Sequence, residues 1–302
     1  PEMSRGLGDV YKRQIRELRE SGHEGTARAY ASSLRSMQRY LGKKDFPFIK
    51  LSSRIISDYQ GKLLASGICD NTIGFYLHNI KALFRKGCRE MGLELPCPFR
   101  DISIKTEKTL KRSLDPVVIK TLSAIELEKD SPLSLARDIF MFSFYTRGMS
   151  FVDIALLKKR HVFPGEICYR RHKTDQLMRV GINKEISRIL ERYKNVPGEY
   201  IFPLFPAERD PYAGYRSAYH RIRYSLGKIS RVIGLEFPLR LHAARHSWAT
   251  IAKVNGASVH VIGECLGHTS EKTTRIYLKE LDHSALDAVN NQVADFILAV
   301  DD

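Results

Sequence analysis

The sequence predicts a mainly α chain with a small β-sheet, built as an N-terminal helical bundle followed by an α+β domain. Three observations carry that expectation. The chain has 302 residues, which suggests about two domains at ~150 residues each. Its first third shows apolar residues at helical spacing. A short β-region then occurs in one place, with helical patterns before and after it.

Residues 1–14 (PEMSRGLGDVYKRQ) resemble translated sequencing-adapter read-through and are set aside from the fold as a non-native segment. The helical core domain is expected over residues 15–100. A partial helix covers Ile15–Glu20. Glu24–Leu41 carries Ala27, Tyr30, Ala31, Leu34, Met37 and Leu41 at helical spacing, with Thr26 as N-cap and Gly42 just past the end. Ser52 or Ser53 opens a helix that runs to Ser66 and stops at Gly67. Asn71 opens another, with Ile73, Leu77, Ile80, Leu83 and Phe84 on one side, ending at Gly92. Leu95-Pro96-Cys97-Pro98 ends the bundle. Residues 101–113 are polar and basic and read as a linker, either running along phosphates or serving as a solvated tether.

The second domain is expected over residues 114–302. Ser134–Tyr145 is apolar on nearly every side, as a buried helix would be. Ser150-Phe151-Val152-Asp153 fits a capping box that starts the next helix. Gly165–Arg171 and Leu177–Val180 flank His172–Gln176 as a hairpin. Helices follow at Lys184–Lys194, Gly214–Ile233, Ala243–Asn255, Val259–Cys265 and Glu271–Lys279. A C-terminal helix runs from Ser284 to about Leu298.

Composition narrows the function. Hydrophobic residues at 43% and charged residues at 27% describe an ordinary globular protein. Lys plus Arg is 49 against 34 Asp plus Glu, a net charge of +15 spread along the whole chain. Such a surplus suggests a polyanionic partner, nucleic acid before an anionic membrane surface. No apolar run reaches the ~18 residues of a membrane helix. The five cysteines are odd in number and lack CxxC spacing, so they read as reduced thiols in a cytoplasmic protein.

Four places could carry chemistry. Arg147 directly follows a buried helix, where a guanidinium is costly unless paired or aimed at an anion. It either binds an anion or is satisfied by Asp153 or by helix-end carbonyls. His242-Ala-Ala-Arg245 puts two polar groups on one helical face. An arginine offers a bidentate fork for phosphate, and a neighbouring histidine can donate to the same phosphate or move a proton; otherwise the two are a surface pair on an N-terminal turn. Leu266-Gly267-His268 reads as a helix end that delivers a histidine to a fixed place. Tyr277 follows in Thr273-Thr274-Arg275-Ile276-Tyr277; alone, it reads as a packed tyrosine. Zinc ligation by His242, His246, Cys265 and His268 is disfavoured, because HExxH and CxxC are absent and basic residues surround the set. No cofactor is expected.

In order, Thr146-Arg147-Gly148-Met149-Ser150, Lys173-Thr174, His242-Ala-Ala-Arg245-His246, Leu266-Gly267-His268 and Tyr277 resemble the tyrosine recombinase (phage-type integrase) family. The resemblance covers about Glu24–Leu298. Gly25–Tyr30 and Tyr169–Thr174 further resemble integrases of mobile elements in Bacteroidota. The resemblance implies a SAM-like core-binding domain and a tyrosine-recombinase catalytic domain that close as a C-shaped clamp on double-stranded DNA. It implies that Arg147 and Arg245 hold the scissile phosphate, that Lys173 protonates the departing 5′-oxygen, and that His242 exchanges protons with Tyr277. His268 would support the phosphate, and Tyr277 would form a 3′-phosphotyrosine bond. It also implies a homotetrameric synapse, with accessory DNA-bending proteins as further partners.

The physics agrees with those roles. A phosphodiester repels nucleophiles, and two arginines offset its charge and that of the pentacoordinate state. A phenol with a pKa of ~10 needs a base or cationic surroundings to attack. Arg28, Arg35, Arg39, Lys105, Lys108, Arg216 and Arg221 are candidate DNA contacts or, equally, solvated charges. The apolar positions after Tyr277 dock either on a neighbouring subunit or on their own domain. The rival readings are a type IB topoisomerase, a DNA-binding protein that does not cut, and a basic helical protein with no nucleic-acid role.

Overall fold

A computed structural model describes residues 6–42, 46–105, 107, 112–205, 211–268, 270–277 and 293, with backbone alone at 211–213, 276 and 277. The chain forms two compact units, Pro1–Thr109 and Leu110–Asp302.

Among the described residues, the first unit holds four α-helices: α1 (Leu7–Glu20), α2 (Glu24–Leu41), α3 (Ser53–Ala65) and α4 (Asp70–Glu90). α1 packs on α2 and α4, and α2 and α3 each pack on α4. The segment set aside in the sequence joins this core. Leu7, Val10, Tyr11 and Ile15 fall at helical spacing, and all four are buried. Burying such side chains is worth ~1.5–3 kcal/mol each, so residues 7–14 are part of the fold. Phe48 stacks on Phe84 with ring centroids 5.1 Å apart. Two expected caps shift: His23 precedes α2 in place of Thr26, and Cys69 precedes α4 in place of Asn71. Asn71 instead pairs with the backbone of Glu107, donating to its carbonyl and accepting from its N–H at 3.0 Å each. Gln60 donates to the Ser103 carbonyl at 2.9 Å, and Ile102 and Ile104 pack on the core. The expected linker therefore lies on the bundle at least as far as Ile104, because it carries two apolar residues and finds two amide partners.

The second unit is organised around α6 (Pro132–Tyr145), capped by the Ser131 hydroxyl. It packs against α5 (Pro116–Ala124), the short α7 (Phe151–Ala155), α8 (Lys184–Arg192), α9 (Pro211–Val232) and α10 (Leu241–Val254). A charge of α6 sits inside: Asp138 accepts from Arg137, Arg192 and the Tyr193 hydroxyl at 2.6–2.8 Å. A three-stranded antiparallel sheet lies beside the helices, β1 (Val162–Phe163), β2 (Glu166–Arg170) and β3 (Leu177–Gly181). Ile167 pairs with Val180 and Tyr169 with Met178, and these four face the core. The chain ends its described course in α11 (Val259–Leu266) and α12 (Glu271–Tyr277), which pack on each other and on α10. α5 and β1 were not read from the sequence. The expected C-terminal helix lies outside the described residues, Val293 excepted.

Candidate active site and nucleic-acid interface

Everything at the site is built around Arg245, in the first turns of α10. It is 4% exposed. A buried guanidinium must be saturated with acceptors. Its Nη1 donates to the Gly148 carbonyl at 2.8 Å, and its Nη2 to the Leu266 carbonyl at 2.5 Å. Nη2 also stands 2.9 Å from His268 Nε2. Local sequence makes this approach possible. Arg147 and Gly148 are consecutive left-handed residues, φ 59° and 74°, and they fold the end of α6 back on itself. The Gly148 N–H returns to the Ser143 carbonyl at 2.7 Å. A Cβ on Gly148 would stand 2.6 Å from Arg245 Cγ, so only glycine admits the arginine stem.

Arg147 is half-buried beside this turn. Its Nη1 donates to the Arg179 carbonyl of β3 at 3.4 Å. Asp153 is not its partner. That buried carboxylate accepts from the Ser150 hydroxyl at 2.6 Å and from the His172 N–H at 2.8 Å. Asp153 thereby fixes the β2–β3 turn next to Lys173, which is exposed at the tip. Arg171 fixes the turn from the other side by donating to the Gly267 carbonyl. Tyr169 lies in the middle: burial and Asp153 push its phenol up, against the charges of Arg171, Arg245 and Arg147. Three arginines from three segments thus act on one point.

His268 sits on the glycine turn expected from the sequence, with Gly267 at φ 63°. Burial, and then the charges of Arg245, Arg171, Lys173 and His242, hold its pKa down to about 4. The ring is therefore neutral near pH 7. Because a guanidinium only donates, His268 accepts from Arg245 through Nε2. Its Nδ1 lies 3.0 Å from Thr274 Oγ1. His242 is exposed one helical turn before His246, and the two rings meet edge to face at 4.7 Å. Among the described residues, no three His, Cys, Asp or Glu side chains are grouped as metal ligands. Tyr277 closes α12, and its side chain lies outside the described residues.

Of the candidate DNA contacts, Arg35, Arg39, Lys105 and Arg216 are exposed. Lys108 lies outside the described residues. Two candidates are held by protein groups: Arg28 pairs with Glu24 at 2.6 Å, and Arg221 donates to the Leu204 carbonyl at 2.7 Å. The sequence reading missed a groove of about 530 Å³ between α9 and residues 235–240. Arg223, Lys228, Arg231 and Arg240 line it with one acid, Glu236. None of these four cations makes an ion pair among the described residues. The density of basic residues along α9, Arg216, Arg221, Arg223, Lys228 and Arg231, was the signal available. Arg171, Asp153 and Thr274 were also missed as parts of the site. Their roles depend on contacts between distant segments, which spacing does not reveal.

The profile of the phage integrase family matches residues 113–283, and that of the phage integrase SAM-like domain matches residues 7–99. The chain belongs to the phage integrase family. Its tyrosine recombinase relatives include XerC of Shewanella oneidensis, 26% identical over 72% of this chain and 70% of that protein. XerD of Pseudomonas putida is 24% identical over 84% and 86%. The integrase fold is shared with a lambda integrase dimer bound to a COC′ core site, with a TM-score of 0.67 and 18% identity over 92% of this chain and 98% of that one. The Tn1549 transposon integrase in complex with a circular-intermediate DNA aligns with a TM-score of 0.66 and 16% identity, over 96% and 100%. Both family profiles are those of integrase domains, and the matched spans include Arg147, Lys173, Arg245, His268 and Tyr277.

Proposed function

We propose that this integrase-family chain is a site-specific tyrosine recombinase that cuts and rejoins duplex DNA through Tyr277. The buried Arg245, aimed between the Gly148 turn and His268, carries this reading. A buried arginine held by the Gly148 and Leu266 carbonyls, with Arg147 and an exposed lysine on a tethered hairpin, suits a phosphodiester whose charge grows during attack. The Tyr277 oxygen bonds to phosphorus, and the bond from phosphorus to the 5′-oxygen breaks. Lys173 gives that oxygen its proton, and His242 takes the proton of the phenol. Arg147 and Arg245 hold the non-bridging oxygens. His268 acts through Arg245, since its Nε2 is an acceptor in this arrangement. The 3′-phosphotyrosine bond keeps the energy of the broken linkage, so rejoining needs no ATP.

Backbone phosphates beside the cut fit the cationic groove of Arg223, Lys228, Arg231 and Arg240, with Arg35, Arg39, Lys105 and Arg216 as further contacts. A homotetramer on DNA is the assembly proposed. Its support is the lambda integrase tetramer bound to a Holliday junction, aligned with a TM-score of 0.65. Accessory DNA-bending proteins would select which sites meet. The topoisomerase and non-cutting readings are not favoured, because the profile and the relatives are those of integrases and recombinases.

The test begins with duplexes of random sequence, from which bound sites are recovered. Nicked versions of those sites are then incubated with the protein without added metal or ATP. An SDS-resistant protein–DNA adduct is expected, and its absence on sites that bind specifically would leave a DNA-binding protein that does not cut.

A further inference from the structure

We propose that Thr274 is a positioning residue: by fixing His268 as its Nδ1–H tautomer, it ties the aim of Arg245 to the seating of α12, the helix that ends at Tyr277. The consequence for strand cutting rests on the recombinase reading; the tautomer does not.

The geometry runs through four segments. Arg245 Nη2 is 2.9 Å from His268 Nε2, and a guanidinium has no acceptor. Nε2 therefore carries the lone pair, and the ring proton resides on Nδ1. Nδ1 is 3.0 Å from Thr274 Oγ1, so this N–H donates to the threonine oxygen. Thr274 is fully buried, and no water reaches it to take over that bond. Gly263 of α11 leaves room for the hydroxyl, since a Cβ there would stand 2.9 Å from Oγ1. The backbone of His268 is held as well, its N–H donating to the Gly263 carbonyl at 2.9 Å. With the backbone fixed, one decision is left to the ring, which nitrogen faces Arg245. Thr274 makes it. A hydroxyl can accept from Nδ1–H, whereas an apolar side chain of the same shape would leave that donor buried and unpaired. The neutral state of the ring fits the same picture, because a second ring proton would face the guanidinium. Thr274 lies three residues before Tyr277. When α12 is in its seat, the acceptor is in place and Arg245 is aligned by His268. When α12 leaves, the Nδ1 proton loses its acceptor and the ring is no longer held against Arg245 from that side.

The experiment uses the full chain labelled with nitrogen-15 and long-range nitrogen–proton spectra of the imidazole rings. A His268→Gln variant assigns the signals. The wild type and Thr274→Ser are expected to show a protonated Nδ1 and a bare Nε2. Thr274→Val is expected to show averaged ring nitrogens. It should also form the covalent adduct about three- to tenfold more slowly with DNA binding unchanged, while Thr274→Ser stays near the wild-type rate. A protonated Nε2 in the wild type would overturn the proposal. So would a Thr274→Val protein with unaltered ring signals and rate. Should Thr274→Val not fold, Thr274→Ala takes its place, and the wild-type spectrum still decides the tautomer. If the wild type itself forms no adduct, the recombinase reading fails while the ring spectra still judge Thr274.

Discussion

A single glycine sets the position of the central arginine. Gly148 is left-handed, and its missing side chain is the space that the Arg245 stem occupies. Gly148→Ala should cost ~1–3 kcal/mol through overpacking. It should also slow adduct formation far more than it weakens DNA binding, read from urea unfolding and single-turnover cleavage side by side. His268 makes a second prediction, on pH. Its pKa falls from 6.5 to about 4 on folding. Above pH 6.5 both states are neutral and the shift has no effect on stability. As pH falls from 6.5 towards 4, the unfolded chain binds a proton that the native ring refuses, and stability is lost. His268→Gln removes that linkage. The drop in urea midpoint between about pH 7.5 and about pH 5 should be smaller in the variant than in the wild type.

At the scale of elements, the β2–β3 hairpin is the part that most needs outside support. Lys173 stands on an exposed turn, and two long-range bonds hold that turn: Asp153 to the His172 N–H, and Arg171 to the Gly267 carbonyl. Asp153→Ala should cost ~1–3 kcal/mol by removing the carboxylate that accepts from the Ser150 hydroxyl and the His172 N–H. Backbone hydrogen exchange should rise in residues 171–176, with a matching loss of cleavage. Unchanged exchange there would refute the tether. Much of this architecture is legible in the sequence. The caps Ser52 and Ser150, and glycines such as Gly42 and Gly267, mark helix boundaries through local chemistry, and the structure keeps them. α6 is legible because it is apolar on nearly every side. What sequence could not supply is what depends on distant partners. Asp153 looks like a cap and is also a tether. Arg221 looks like a surface charge and is held by Leu204. Residues 7–14 look foreign, yet their apolar spacing seats them in the core.

At the scale of the whole molecule, the surplus of positive charge has a place to act. The groove beside α9 gathers four cations that have no ion-pair partners among the described residues. Neutralising Arg223, Lys228 and Arg231 together should lower the dependence of DNA affinity on salt by a slope of roughly two to three, equally for all sequences. A slope that stays unchanged would place the phosphates elsewhere. The decisive question remains which atom joins the DNA. Among the described residues, Tyr169 is a tyrosine within reach of three arginine charges, but burial raises its pKa and the Asp153 charge adds to that. The nucleophile proposed is Tyr277. The direct test is to trap the adduct on a nicked site, digest protein and DNA, and locate the nucleotide-bearing peptide by mass spectrometry. The account predicts the modification on Tyr277, joined to a 3′-phosphate and lost in Tyr277→Phe. A nucleotide on Tyr169 or on any other residue, or an adduct that survives Tyr277→Phe, would contradict it.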